Sequence, residues 1–254
     1  MKHLLLLSAA LLLALASCAK KEEPAPETTR YTIGVILTGL PFAAKNDAGE
    51  LIGIEPELLQ RMAKDEKCII DMKVIERDQM EELLTNGTVQ GVIGRLVYQQ
   101  NENGSPLLYT DPYLSLYQTV LIQAGAEFER LSDLEGRRVG VREGSNAEAF
   151  LADRQDIFLR RLPSNDACVE ALLKGELEAV MMDNIPAEEY LAKYEGTLDE
   201  LPDTFDMRNY ALLSRNGEFT INWTFNSQLF RMRGIGFVAE LRRKYQSYFN
   251  ENFK

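Results

Sequence analysis

A few stretches carry residues that could bind or transform something. Gly144-Ser145-Asn146 follows the strand-like run Arg137–Glu143 and opens a helix-like run from Asn146 to Ala152. The first N–H groups of a helix have no intrahelical partner, and with the Ser145 hydroxyl they would bind a carboxylate or phosphate. An ordinary strand-to-helix turn fits the same residues. Asp183 ends the apolar run Leu177–Asp183 shortly before Pro186, where a carboxylate would cap a helix. Phe42 and Tyr98 are suited to be apolar ligand walls, although core packing would use them equally well. Arg95 directly follows the apolar run Val89–Gly94; if it points into a cleft, it needs an anionic partner.

Other chemistries are excluded by what the chain lacks. Its 254 residues hold 28 Lys plus Arg against 39 Asp plus Glu, a net charge of −11 that repels phosphate backbones. No basic patch offsets this, so no nucleic-acid partner is expected. The single histidine is His3. It lies in a basic head, Met1-Lys2-His3, followed by the apolar run Leu4–Ala16, a signal-peptide pattern too short to span a bilayer. Leu15-Ala16-Ser17-Cys18 resembles the bacterial lipobox, whose cysteine becomes the lipidated first residue. Processing there leaves no histidine, and with it go Ser-His-Asp and Cys-His catalysis and most zinc sites. No metal or cofactor is expected, and no nucleotide-cradling glycine loop occurs. Cys68 and Cys168 are expected to be buried free thiols in different lobes.

Positioning these residues requires an α/β framework. Residues 1–17 read as the signal peptide and 18–30 as a flexible, lipid-anchored tether. The folded body starts at Tyr31 with a buried-strand pattern. Asn46–Gly49 is a turn, and Pro56 opens a helix through Met62. Strand Cys68–Glu76, helix Gln79–Thr85 and strand Val89–Gly94 follow. The alternation restarts after Pro112 with strands at Thr119–Gln123, Arg137–Glu143 and Leu177–Asp183, and helices at Asn146–Ala152 and Asp166–Lys174. Two amphipathic helices, Ile221–Met232 and Phe237–Tyr248, close the chain; Trp223, Phe225, Leu229 and Met232 read as a core stripe.

The ordered set Pro41-Phe42, Asp47–Glu55, Leu84–Gly87, Tyr109–Tyr113, Leu131–Val141, Gly144-Ser145 and Ala179–Asp183 resembles the polar amino-acid-binding proteins that serve ABC importers. The resemblance spans residues 31 to 248. It implies a two-lobed type II periplasmic binding-protein fold, with a ligand cleft between hinged lobes. Lobe one would be 31–114 plus 209–254 and lobe two 115–208, with crossings near Leu114–Gln118 and Phe205–Arg208. It also implies an amino-acid-like or anionic ligand, an ABC permease as partner, a monomer, and a place in the cell envelope facing the periplasm or exterior.

By the same resemblance, Asp183 accepts the ligand's α-ammonium, Ser145 and Asn146 meet its carboxylate, and Arg142 enters the cleft, a solvent-facing strand end being its alternative. The family's Thr-x-x-Arg, whose arginine grips the carboxylate, is replaced by Gln99 and Glu102, and Gly39 replaces an aromatic platform. Arg95, helped by Arg77 or Arg142, would take over the clamp; the alternative is a site that has lost amino-acid binding. Binding without chemistry is the leading expectation. A cyclohexadienyl dehydratase-like enzyme on the same fold, or a sensing lobe for a membrane receptor, are the alternatives.

Overall fold

The computed structural model describes residues 28–101, 103–217 and 219–252. The expected signal segment, Cys18, most of the expected tether and Glu102 lie outside the described residues. The first sheet is built on β1 (Arg30–Val35), whose Ile33 and Val35 are fully buried. The hairpin β2 (Ala44–Lys45) and β3 (Leu51–Ile52) encloses the expected turn, with Asn46 Oδ1 accepting from the Ala48 and Glu50 amides at 3.0 and 2.9 Å.

Helix α1 (Ile54–Glu66) starts two residues earlier than expected from Pro56. The missing N–H of Pro56 still falls among first-turn donors that have no helical acceptor. The amides before it find other partners: Ile54 donates to the Pro41 carbonyl at 2.8 Å and Glu55 to that of Phe42 at 3.1 Å. The close approach requires glycine at position 53, where φ is 121° and a Cβ would sit 2.2 Å from the Phe42 carbonyl oxygen.

After β4 (Ile69–Val74), a 3-10 turn and α2 (Met80–Thr85), the chain enters β5 (Gly91–Ile93). Next come β6 (Leu107–Tyr109) and the long β7 (Leu114–Gln123), which begins five residues before the expected strand. The following elements are β8 (Arg138–Arg142), α3 (Asn146–Leu151), β9 (Phe158–Leu162), α4 (Asn165–Leu173), β10 (Ala179–Asp183) and α5 (Asn184–Lys193). Strands β11 (Leu198–Glu200), β12 (Phe205–Tyr210) and β13 (Leu213–Arg215) lead to helices α6 (Phe219–Gly234), α7 (Phe237–Lys244) and α8 (Gln246–Asn252).

The strands form two main sheets, ordered β4-β1-β5-β13-β6 and β11-β7-β10-β8-β9, with β12 also paired to β7. Strand β7 has two partners along its length. Its first half runs antiparallel to β12, from Leu114↔Tyr210 to Gln118↔Phe205, and its far end pairs with β11. The chain thus passes between the sheets along the paired segments β7 and β12.

Helices cover both faces of the second sheet, so β10 is apolar on both sides. Ala179 and Met181 pack into a cluster with Val139, Val141 and Leu151, whereas Val180 and Met182 pack with Cys168, Leu172 and Ala187. In the first sheet, Ile33, Val35 and Ile93 pack with α1, α6 and α7 residues; Val92, Ile75 and Leu84 fill a smaller cluster.

Three expectations are corrected. Phe237–Tyr248 is not one helix but α7 and α8, because Tyr245 turns inward: its hydroxyl donates to Glu57 and accepts from the Gly53 amide at 2.9 Å. Trp223 is 72% exposed, so only Phe225, Leu229 and Met232 belong to the core stripe. Cys168 is buried, its thiol pushed up to about 11 by desolvation, but Cys68 is only partly buried; both are free.

Candidate functional site

Two polar clusters, one on each sheet, carry the residues of interest. The first forms where α1 begins and β5 ends. Gly94, at φ 154°, and Arg95, at φ 52°, turn the chain sharply. A Cβ on Gly94 would lie 2.5 Å from that of Ile36. Non-glycine residues rarely adopt such a positive φ, and the neighbours hold Arg95 there. Its amide donates to Glu55 Oε1 at 2.7 Å, and its guanidinium carbon stands 5.5 Å from the Phe42 ring centroid. Arg77 Nη2 donates to the Gly94 carbonyl at 2.9 Å, so Arg77 braces this turn.

Glu55 is the centre of this cluster. It is fully buried in the first turn of α1, where a carboxylate faces the favourable end of the helix dipole. Oε1 accepts from the Arg95 amide and the Tyr113 hydroxyl; Oε2 is buried and has no hydrogen-bond partner among the described residues. Burial raises its pKa from 4.5 to about 7, although the Tyr113 and Arg95 hydrogen bonds and the Arg77 and Arg95 charges pull the other way. Phe42 is itself buried, edge-on to Tyr210 with centroids 5.0 Å apart. Tyr98 does not join it: the half-buried ring packs against Tyr109 at 5.8 Å, and its amide donates to the Asn209 carbonyl.

The second cluster surrounds Asp183 at the end of β10, directly opposite Gln118 on β7. Gln118 Nε2 donates to Asp183 Oδ1 at 2.5 Å and Asn146 Nδ2 donates to the same oxygen at 3.4 Å. Among the described residues nothing donates to Oδ2. The side chain makes no capping bond to α5, so Asp183 is not used as the helix cap. Burial raises its pKa; the Gln118 and Asn146 bonds and the Arg142 charge oppose the rise, and Asp206 adds to it. Arg142 is half-buried, and its buried Nε has no hydrogen-bond partner among the described residues. Arg208 and Asp206, ion-paired at 2.9 Å on β12, complete the surroundings.

The Gly144–Asn146 turn is occupied by its own chain. Ser145 Oγ caps α3 by accepting from the Glu148 amide at 3.1 Å. Its amide donates to the Arg142 carbonyl, and Gly144 N–H donates to Glu148 Oε2 at 2.6 Å. Of this motif only Asn146 reaches the Asp183 cluster. Gln99 is exposed, while Asn101 binds both backbone groups of Tyr109, holding the altered Thr-x-x-Arg segment to β6.

Structure thus joins Phe42, Arg77 and Arg95 in one cluster and Arg142, Asn146 and Asp183 in the other. Reasoning from sequence passed over Glu55, Tyr113 and Gln118. Gln118 had a visible signal, a lone amide inside the apolar run Leu114–Ile122. Glu55 had a weaker one, a carboxylate directly after Gly53-Ile54 in a repeatedly apolar stretch. Among the described residues, no group of three His, Cys, Asp or Glu is arranged to hold a metal ion, and no helix is long and apolar enough to cross a membrane.

Comparison with known proteins gives this geometry its context. The profile of the bacterial extracellular solute-binding proteins, family 3, matches residues 31–248. The L-cystine-binding protein TcyJ of Escherichia coli K12 is 25% identical over 220 residues, covering 84% of this chain and 82% of its own. The lysine/arginine/ornithine-binding periplasmic protein of the same organism is 23% identical over 253 residues, covering 94% and 95%. The L-cystine solute receptor of Neisseria gonorrhoeae, in its unliganded open conformation, superposes with a TM-score of 0.59 at 15% identity, covering 89% and 96% of the two chains. A polar amino acid ABC uptake transporter substrate-binding protein from Streptococcus thermophilus gives 0.60 at 17% identity, covering 85% of each. The architecture is the two-lobed type II binding-protein fold. With a family match over most of its length, two sheets joined by paired crossings and a polar cluster on each, this chain belongs to the family 3 bacterial extracellular solute-binding proteins.

Proposed function

We propose that this protein captures a small amino-acid-like solute in the cleft between lobe one (31–114 plus 209–254) and lobe two (115–208), and hands it to an ABC permease. Lipid on Cys18 holds it to a membrane. The observation that carries the reading is Asp183: a half-buried carboxylate, raised in pKa, whose Oδ1 is held by two amides while Oδ2 accepts nothing from the described residues. A ligand ammonium supplies the missing charge-assisted bond and favours the ionised form of Asp183. Arg95, with Phe42 beneath its guanidinium, takes the ligand carboxylate from the other lobe. A zwitterion bridges the clusters only when the lobes approach, so binding favours the closed form. The Gln118–Asp183 bond ties this site to the crossing strand β7, where hinge motion occurs. The chain binds and does not transform, and its relatives' names point to cystine and cationic amino acids as first ligands to try.

The test is a thermal shift on protein freed of ligand by unfolding and refolding, against L-cystine, other amino acids, dicarboxylates and sulfonated anions. Ligand at 100 times its Kd adds about 2.7 kcal/mol of stability. The shift should require both an ammonium and an anionic group. A shift with dicarboxylates lacking nitrogen would remove Asp183 from the reading, and no shift with any compound would remove solute capture.

A further inference from the structure

Helix α6 has an outer face that stays exposed among the described residues. Its inner face holds Ile221, Phe225, Leu229 and Met232, all buried. At about 100° per residue, the opposite face carries Trp223, Ser227, Phe230 and Gly234. Trp223 is 72% and Phe230 79% exposed, one about 10 Å along the helix from the other. Arg231 and Arg233 flank this stripe; Arg233 also donates to the Pro112 carbonyl. From residue 219 to residue 239 there is no acidic residue, in a chain that holds 39. An aromatic stripe edged with arginines, on a helix segment that itself carries no carboxylate, suits the headgroup layer of a bilayer, where Trp and Phe rest among the acyl boundary and arginine meets phosphate.

Where the chain leaves the fold supports this occupant. Ile33 of β1 pairs with Gly91 of β5, and Gly91 pairs with Ser214 of β13. The start of β1 and the end of β13 therefore lie at the same end of the first sheet. Helix α6 begins four residues after Arg215, so its Trp223 end and the exit of the tether share that end of the lobe. Residues 19–29, fully extended, reach at most about 40 Å, roughly the diameter of a body this size. A chain anchored at Cys18 is confined to within one body diameter of the lipid.

We propose that the Trp223–Phe230 face of α6 rests on the membrane surface that holds the anchor, seating lobe one against the bilayer while lobe two moves. This rests on the lipid-anchored reading above. Trp223 is the only tryptophan, so its emission reports on this face alone. The full chain, processed in a lipoprotein-making host, would be reconstituted in phosphatidylethanolamine–phosphatidylglycerol vesicles with and without brominated acyl chains. The mass of its N-terminal peptide shows whether Cys18 carries lipid. Lipid at Cys18 with blue-shifted emission, quenched by the brominated chains, supports the proposal. The quenching should be lost in Phe230→Glu, an exposed change that leaves the melting temperature and ligand binding in place. Lipid at Cys18 with solvent-like, unquenched emission overturns the membrane face and leaves the anchor standing. Emission that shifts only when permease is added also overturns it, in favour of a protein partner. Absence of lipid overturns the anchor and this proposal together.

Discussion

Glu55 and Asp183 are both carboxylates raised by burial, yet their surroundings differ. Glu55 is fully enclosed, and its bonds run to a neighbouring amide and a tyrosine, which makes it a brace for the Gly94-Arg95 turn. Asp183, like Glu55, is fastened through one oxygen, but it is only half-buried and so open to an outside group. Burial of a charge is costly in both cases, but only Asp183 leaves room for an outside cation to offset it. A shifted pKa, even with an unpartnered oxygen beside it, does not by itself mark a binding group; access from outside is also needed.

Substitutions can break or sharpen this contrast. The largest effect is expected from Asp183→Asn, which keeps the shape and removes the charge. It should weaken ligand binding by about 3 kcal/mol, roughly a hundred-fold in Kd by calorimetry, with stability little changed. Glu55→Gln should do the reverse. In the folded chain Glu55 ionises near 7 rather than 4.5, so its contribution to stability is complete below about 4.5 and is lost as pH rises through 7. The loss amounts to about 3 kcal/mol. Urea denaturation at pH 5 and pH 8 should show that decline in the natural chain and a flattened profile in the variant; an unaltered slope would mean that another group titrates.

Arg95→Ala should raise the Kd about thirty-fold, some 2 kcal/mol, with Arg95→Lys in between because a lysine keeps the charge and loses the planar fork. Unchanged affinity would rule out the relocated clamp. The smallest effect belongs to Arg77→Ala. Freed from Arg77 Nη2, the Gly94 carbonyl can turn to water, which should cost about 1 kcal/mol of stability and alter affinity only indirectly. If Arg77→Ala weakened binding as much as Arg95→Ala, Arg77 would be a ligand contact rather than a brace.

Much of the fold was legible from local pattern. Strand β10 could be read because Ala179–Met182 is apolar on both faces, as a strand covered by helices must be. The hairpin turn could be read because Asn46 folds its side chain onto its own backbone. Trp223 could not be placed, since helical spacing identifies residues on a helix but not which neighbour covers them, and among the described residues this one is left 72% exposed. The break between α7 and α8 was hidden for a similar reason: Tyr245 bonds to Gly53 and Glu57, nearly two hundred residues earlier.

The sequence by itself determined the chemistry on offer: an acidic chain with one histidine near its start, an apolar run Leu4–Ala16 of signal-peptide pattern, an α/β alternation repeated twice, and Gln99 and Glu102 where the resemblance expects Thr and Arg. Those properties are local, set by residue type and short-range spacing. Only the tertiary structure decided that Ser145 is a cap, that Asp183 is not, and that Glu55 rather than a ligand holds the Arg95 backbone. Each depends on which distant group supplies the hydrogen bond, and that follows from how two sheets and their helices bring remote segments together.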